Sequence, residues 1–156
     1  MPDLSLGDAA REFVTVTVAP SGATVIADGD ASSRDSVAAA LRFLAQVTSP
    51  SQRSIAVIGA FDSEPALALE EHDYIGRLVV RLNIGQLVAV GREARHIQSA
   101  AGLEGSWNGE SVLVETPEEA YDLLRAEIRE NDVVLVTAGK RVRLALLAER
   151  LSGAAA

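Results

Sequence analysis

The sequence predicts an α/β protein with a mostly parallel six-stranded sheet, helices on both faces and an antiparallel hairpin at the N-terminal edge. Near-continuous apolar runs, such as residues 54–59 (SIAVIG) and 133–136 (VVLV), are typical of strands that are buried on both faces. Apolar residues recur with helical spacing between such runs. Strand and helix patterns alternate from residue 23 onward, which predicts parallel strands joined by right-handed crossovers.

Composition limits the class of protein. The 156 residues suit one domain. The absence of cysteine excludes a disulfide framework and thiolate metal sites, and fits a cytoplasmic protein. A net charge of −8 disfavours nucleic acid as a partner, because a phosphate-backbone binder needs the opposite sign. No apolar run is long enough to span a bilayer, and the N-terminus lacks the apolar core of a signal peptide, so we expect no membrane insertion.

The first third of the chain predicts a hairpin followed by a helix. Residues 1–11 are expected to be a lead-in. Residues 13–18 (FVTVTV) alternate as a strand, and a turn at Pro20-Ser21-Gly22 leads into a second strand at 23–27. A helix is expected over residues 33–47, with Ser32 or Ser33 as its cap.

The rest of the chain repeats the strand–helix pattern. Pro65 is expected to lie in the first turn of a long helix, and Thr116 to cap another, because proline and glutamate follow it at favourable positions. The final helix should begin after residue 140. The predicted strands are 54–59, 87–91, 112–114 and 133–136, and the predicted intervening helices are 65–82, 93–101 and 117–128.

The strand-end loops are the first candidates for a binding site, because helix N-termini and their free N–H groups converge at one edge of a parallel sheet. In the first loop, Asp28 and Asp30 can accept ribose hydroxyls or hold a cation; the alternative is that they only form a turn. Lys140 and Arg141 begin a basic cluster at a helix N-terminus, where the helix dipole disfavours cations. Such a cluster fits a carboxylate or phosphate, or else is a solvated face.

Other familiar chemistry is absent from the sequence. There is no P-loop spacing and no G-x-G-x-x-G motif, so the chain carries no recognisable phosphate cradle. His72 and His96 have no second histidine or cysteine at ligand spacing, so a zinc site is not expected. His72 is better explained by local hydrogen bonding or packing. We therefore predict no catalytic residue and no metal ligand within the chain.

From about residue 12 to 151, the chain resembles the C-terminal domain of the Mur ligases, and most of all the actinobacterial members that add D-alanyl-D-alanine. Residues 12–156 are accordingly taken as one such domain. The stretches that carry the resemblance are VIADGDASSRDSVAAAL (25–41), SIAVIGAF (54–61), EEHDYIGRLVVRL (70–82), LVAVGREA (87–94) and PEEAYDLLRAEIRENDVVLV (117–136).

The resemblance implies a Rossmann-like third domain of a cytoplasmic, ATP-dependent peptide ligase in peptidoglycan precursor synthesis. ATP and Mg²⁺ are its implied cofactors, and the P-loop and magnesium belong to a central domain. The C-terminal domain closes over that centre, contacts the nucleotide and helps to bind the incoming amino acid or dipeptide. Alone, this chain is not expected to catalyse. Its implied partners are the N-terminal and central ligase domains, in the same or another chain.

The loops depart from the family pattern while the framework is kept. In the family's D-x-Y-N-A-N-P loop, Asp28 remains, whereas Asp30, Ser33 and Arg34 replace tyrosine, the second asparagine and proline. The predicted cofactor-binding residues are Asp28, Asp30, Ser33 and Arg34, and the predicted substrate-binding residues are Lys140 and Arg141. The substitutions also leave open an alternative, a free-standing degenerate domain that acts as a non-catalytic binding or regulatory module.

Overall fold

The computed structural model describes residues 14–29, 31–137 and 143–153. Strands and helices alternate after an initial pair of strands, as the sequence predicts. The strands are β1 (Val14–Val18), β2 (Thr24–Asp28), β3 (Arg53–Gly59), β4 (Gln86–Val90), β5 (Glu110–Val114) and β6 (Asp132–Thr137). The helices are α1 (Arg34–Val47), α2 (Ala68–Arg81), α3 (Arg95–Leu103), α4 (Pro117–Glu127) and α5 (Ala145–Leu151), with a 3₁₀ turn at Arg92–Ala94.

The described strands form one six-stranded sheet in the order β1-β2-β6-β3-β4-β5. Strand β1 is antiparallel to β2, with Val14 opposite Asp28, and every other pairing is parallel. The predicted mostly parallel sheet with an antiparallel hairpin at one edge is therefore confirmed.

Each face of the sheet has its own apolar core. Helices α1, α2 and α3 cover one face, and Leu41, Ile75 and Ile97 pack there against alternate residues of the central strands. Helices α4 and α5 cover the other face through residues such as Leu124 and Leu147. Because β3, β4 and β6 are buried on both sides, they need continuous apolar sequence rather than alternation.

Capping side chains fix the start of two helices. The Ser33 hydroxyl accepts a hydrogen bond from the Ser36 N–H at the start of α1. Thr116 does the same for the Glu119 N–H at 3.2 Å, and Pro117 occupies the first turn of α4. Both helix starts follow from the preference of hydroxyl side chains for the N-cap, as predicted.

The predicted start of α2 at Pro65 is wrong by one turn. The Leu67 N–H donates to the Glu64 carbonyl at 2.8 Å and closes a separate turn, and the helix begins at Ala68. Helix hydrogen bonding starts with the Glu71 N–H, which donates to the Leu67 carbonyl. No side chain caps this helix end, so the proline marked the turn before the helix rather than the helix itself.

Trp107 packs beneath its loop rather than over a pocket. Its indole Nε1 donates to the Ile84 carbonyl at 2.9 Å, and its ring contacts the core beneath helices α1–α3. The ring also occupies the space that a side chain at Gly109 would need. The indole ring therefore fills the space beneath its own loop.

Candidate functional site

The carboxyl ends of the parallel strands meet at one edge of the sheet. Asp28 at the end of β2 pairs in register with Thr137 at the end of β6, and Gly59 at the end of β3 pairs with Val90 of β4. The loops that follow β2 and β3 therefore begin at the same end of the parallel strands, with β6 between them. Asp28 itself is buried, with an exposed fraction of 1%.

The loop after β2 is held by the first turn of α1. The Ser36 Oγ accepts hydrogen bonds from the N–H groups of Ser32 at 2.9 Å and Ser33 at 2.8 Å, while the Ser33 hydroxyl caps the helix. These bonds satisfy donors that a helix N-terminus otherwise leaves open. Ser33, a predicted cofactor-binding residue, is thus committed to the cap of α1.

Arg34 lies beside an acidic and aromatic surface of α2. Its guanidinium donates to Asp35 Oδ1, with Nη2 at 3.1 Å, and Nε lies 3.7 Å from Glu71 Oε2. The guanidinium carbon is 5.2 Å from the centre of the Tyr74 ring, a cation–π distance. Hydrogen bonding to Asp35, helped by the charges of Asp35 and Glu71, raises the pKa of Arg34 above its ordinary value. The side chain is 41% exposed, so it also faces solvent.

The loop after β3 is joined to the loop after β2. The Asp62 N–H donates to the Ser32 carbonyl at 2.9 Å. The Ser63 hydroxyl donates to Glu71, whose other carboxylate oxygen faces Arg34. Glu71 therefore connects both loops from the first turn of α2.

Glu71 and Tyr74 also belong to this part of the protein, although neither was among the predicted site residues. Both lie in the stretch EEHDY, three residues apart and thus on one face of a helix. That spacing was the available signal. The spacing could not show what this helix face contacts, because its partners, Arg34 and Ser63, lie elsewhere in the sequence.

His72 has the packing and hydrogen-bonding role that the sequence suggested. Its ring stacks on Phe61 with 4.0 Å between centroids and 3° between planes. His72 Nε2 accepts from the Phe61 N–H at 3.3 Å, and Nδ1 lies 2.7 Å from the Ala68 carbonyl oxygen. An Nδ1–H tautomer satisfies both contacts. The histidine thereby anchors the start of the β3–α2 loop to the first turn of α2.

Three predicted site residues lie outside the described residues: Asp30, Lys140 and Arg141. So does the predicted lead-in at residues 1–11. Within the described ranges, no three His, Cys, Asp or Glu side chains are grouped so as to hold a metal ion. Among the helices that the structure describes, none has the length and apolar character needed to cross a membrane.

Comparison with known proteins identifies one family. The family model described as "Mur ligase, glutamate ligase domain" matches residues 12–140. The UDP-N-acetylmuramoyl-tripeptide--D-alanyl-D-alanine ligase of Mycobacterium leprae is 39% identical over 160 residues. That match covers 94% of this chain and 31% of the relative, so the chain spans about a third of the length of the curated relatives that it matches.

Solved structures support the same fold. A crystal structure of MurF from Acinetobacter baumannii superposes with a TM-score of 0.72 and 20% identity, covering 92% of this chain and 31% of that one. MurF ligase from Thermotoga maritima, solved in complex with ADP, gives a TM-score of 0.69 at 20% identity over 90% of this chain and 30% of that one. With its framework and its sequence both matched, the chain belongs to the Mur ligase family, through the glutamate ligase domain.

Proposed function

We propose that this chain is the C-terminal domain of a ligase that joins D-alanyl-D-alanine to UDP-N-acetylmuramoyl-tripeptide in peptidoglycan precursor synthesis. The observation that carries the proposal is the 39% identity to a ligase of that name over nearly the whole chain. The domain does not catalyse alone. Its partners are the N-terminal and central ligase domains, and the whole enzyme acts in the cytoplasm.

The nucleotide side of the proposed site consists of Asp28, Asp30, Ser33 and Arg34. Arg34 is a cation with a side chain that is 41% exposed, so its guanidinium is suited to meet phosphate charge. Asp28 is buried, so its carboxylate acts by holding the loop in place or becomes accessible only when the domains close. The family depends on ATP and Mg²⁺; ATP supplies the phosphoryl group that activates the substrate carboxylate, and we place the magnesium site in the central domain.

The substrate side of the proposed site consists of Lys140 and Arg141. They follow β6, which ends at Thr137 in register with Asp28. Cations at this position fit the carboxylate of an incoming D-alanyl-D-alanine. Both sides of the site would then approach the central domain from one edge of the sheet.

Domain exchange tests this proposal. This chain is joined to the N-terminal and central domains of the Mycobacterium leprae ligase, in place of the matching C-terminal third. We expect phosphate release that requires ATP, the tripeptide precursor and D-alanyl-D-alanine, at a rate above that of the enzyme without its C-terminal third. A chimera that folds but is no faster than the truncated enzyme contradicts the proposal.

The second candidate is a free-standing, non-catalytic binding or regulatory module. The replaced loop residues favour it, and Ser33 is committed to the cap of α1 rather than to a ligand. This alternative predicts no change in melting temperature with ATP and magnesium and a stable complex with a protein partner. An ATP-dependent rise in melting temperature that Asp28→Ala abolishes would exclude it.

A further inference from the structure

The start of α2 and the residues before it expose a continuous nonpolar stretch. Residues 65–69 read PALAL, five nonpolar residues in succession, and none of them is buried. Leu67 is 42% exposed and Leu69 is 60% exposed. Single exposed apolar residues are ordinary, but a run of this length on a surface is expected only where it has a function. We call residues 65–69 the apolar segment.

Helix capping does not explain the two leucines. Leu67 occupies the N-cap position of α2, and no side chain caps this helix end. Serine, threonine, aspartate and asparagine are favoured at an N-cap, and acidic residues suit the first turn, as Glu70 and Glu71 do. A leucine supplies neither an acceptor nor a charge. The exposure of Leu67 and Leu69 therefore needs another reason.

The apolar segment is held in place although it is exposed. The Ser63 hydroxyl donates to the Glu71 carboxylate, so a hydrogen bond joins the residues on either side of the segment. Within it, the Ala68 carbonyl oxygen lies 2.7 Å from His72 Nδ1. A surface that is already ordered loses less conformational entropy when a partner covers it. The segment is thus suited to form a contact.

The apolar segment lies close to the proposed nucleotide residues. It follows β3, and the Asp62 N–H in the same loop donates to the Ser32 carbonyl of the loop after β2. Glu71, two residues beyond the segment, lies 3.7 Å from Arg34. In the proposed ligase, this end of the sheet faces the central domain. Because the chain matches 31% of its relative, most of such a ligase lies outside this chain and can cover the segment.

Exposed carboxylates border the apolar segment. Asp62 and Glu64 precede it, and Glu70 follows it. An apolar centre with a charged rim is the usual anatomy of a protein interface. The complementary surface is an apolar patch bordered by lysine or arginine.

We propose that the apolar segment docks on the central domain of the ligase and buries Leu67 and Leu69 against such a patch. The inference rests on the proposed function, because that function supplies the partner domain. It adds the surface through which the two domains meet. Docking there holds the loops after β2 and β3 against the central domain.

Hydrogen exchange followed by mass spectrometry tests the docking directly. The chimera with the N-terminal and central domains of the Mycobacterium leprae ligase is compared with the 156-residue chain, both with ATP and the tripeptide precursor. We expect the amides of residues 66–69 to exchange about tenfold more slowly in the chimera, because the partner domain covers them. Amides of residues 101–104, at the end of α3, should exchange equally in both proteins.

Leucine variants test the energetic contribution. In the chimera, Leu69→Gln should lower kcat/KM for ATP about tenfold, as for the loss of one buried leucine side chain. The same change should leave the melting temperature of the 156-residue chain unaltered, because Leu69 is exposed there. Leu69→Met should keep the parent kcat/KM. Leu103→Gln is the control, since Leu103 is 85% exposed and ends α3, which leads away from this end of the sheet towards the start of β5.

The proposal is overturned if residues 66–69 exchange equally fast in both proteins, or if Leu103→Gln lowers kcat/KM as much as Leu69→Gln. It is also overturned if sedimentation shows that the 156-residue chain dimerises and that Leu69→Gln dissociates the dimer, since the partner is then a second copy. Failure of the proposed function gives a different result. An inactive chimera with slow exchange at residues 66–69 contradicts the ligase activity and supports the docking, whereas an active chimera with fast exchange contradicts only the docking.

Discussion

Gly76 allows helices α2 and α3 to approach each other closely. A methyl group at this position would overlap the Ile97 carbonyl oxygen and come within 2.8 Å of the Ala100 side chain. A backbone carbonyl cannot move aside as a flexible side chain can. Gly76 therefore sets how closely α2, which carries Glu71 and Tyr74, packs on its neighbour.

We expect Gly76→Ala to destabilise the protein by about 1–3 kcal/mol, the usual cost of overpacking. Urea denaturation measures the free energy of unfolding. Gly102→Ala is the matched control, because it lies in α3 and a methyl there meets nothing within 4 Å. The control should be as stable as the parent or slightly more stable. Equal loss in both variants would contradict the packing argument.

At the scale of residues, the sequence predicted the roles whose partners are local. The Ser33 and Thr116 caps depend on residues three positions away, and His72 bonds within its own helix. The surroundings of Arg34 were not predicted, because Glu71 and Tyr74 reach it only after α2 packs beside α1. Contacts between residues that are close in the sequence can be predicted from the sequence alone. The contacts of Arg34 cannot, because they depend on how the helices pack.

At the scale of elements, the start of α1 depends on a reciprocal pair of serines. We expect Ser33→Ala to lower the free energy of unfolding by about 1 kcal/mol, because an N-terminal donor of the helix loses its acceptor. Ser33→Asp should restore most of that stability, since aspartate caps as well as serine and its charge suits the helix dipole. Chemical denaturation measures both variants. A destabilised Ser33→Asp would show that Ser33 has a role other than capping.

The β2–α1 and β3–α2 loops are expected to behave as one unit, because Glu71 connects Ser63 and Arg34. We predict that Glu71→Gln speeds amide hydrogen exchange at Asp62, whose N–H donates to Ser32, by about threefold or more as local opening becomes easier. Glu70→Gln, one position earlier and exposed, is the control. If exchange at Asp62 is the same in both variants, Glu71 does not couple the loops.

Element positions were largely predictable, and their errors have a physical origin. The buried strands were predicted from apolar runs, because a strand covered on both faces consists almost entirely of apolar residues. The first turn of α2 was misplaced because Pro65 suits both a turn and a helix start, and only the Leu67–Glu64 hydrogen bond distinguishes them.

At the scale of the whole molecule, the parallel strands all begin at one end of the sheet and finish at the opposite end. Alternating strands and helices predicted parallel pairing, but not that β6 lies between β2 and β3. That order brings Thr137 beside Asp28, and the loop after it carries Lys140 and Arg141. The fold class was therefore predictable from local pattern, whereas the neighbours of each strand-end loop were not.

The central claim is that the edge after β2 and β3 contacts the nucleotide in a complete ligase. The most direct test is the Michaelis constant for ATP in the chimera with the Mycobacterium leprae domains. Arg34→Gln is compared with Arg81→Gln, which removes an exposed positive charge at the far end of α2. We predict a rise of about tenfold for Arg34→Gln, as for one lost charge-assisted contact, and no change for Arg81→Gln. Equal constants for both variants and the parent chimera would contradict the claim.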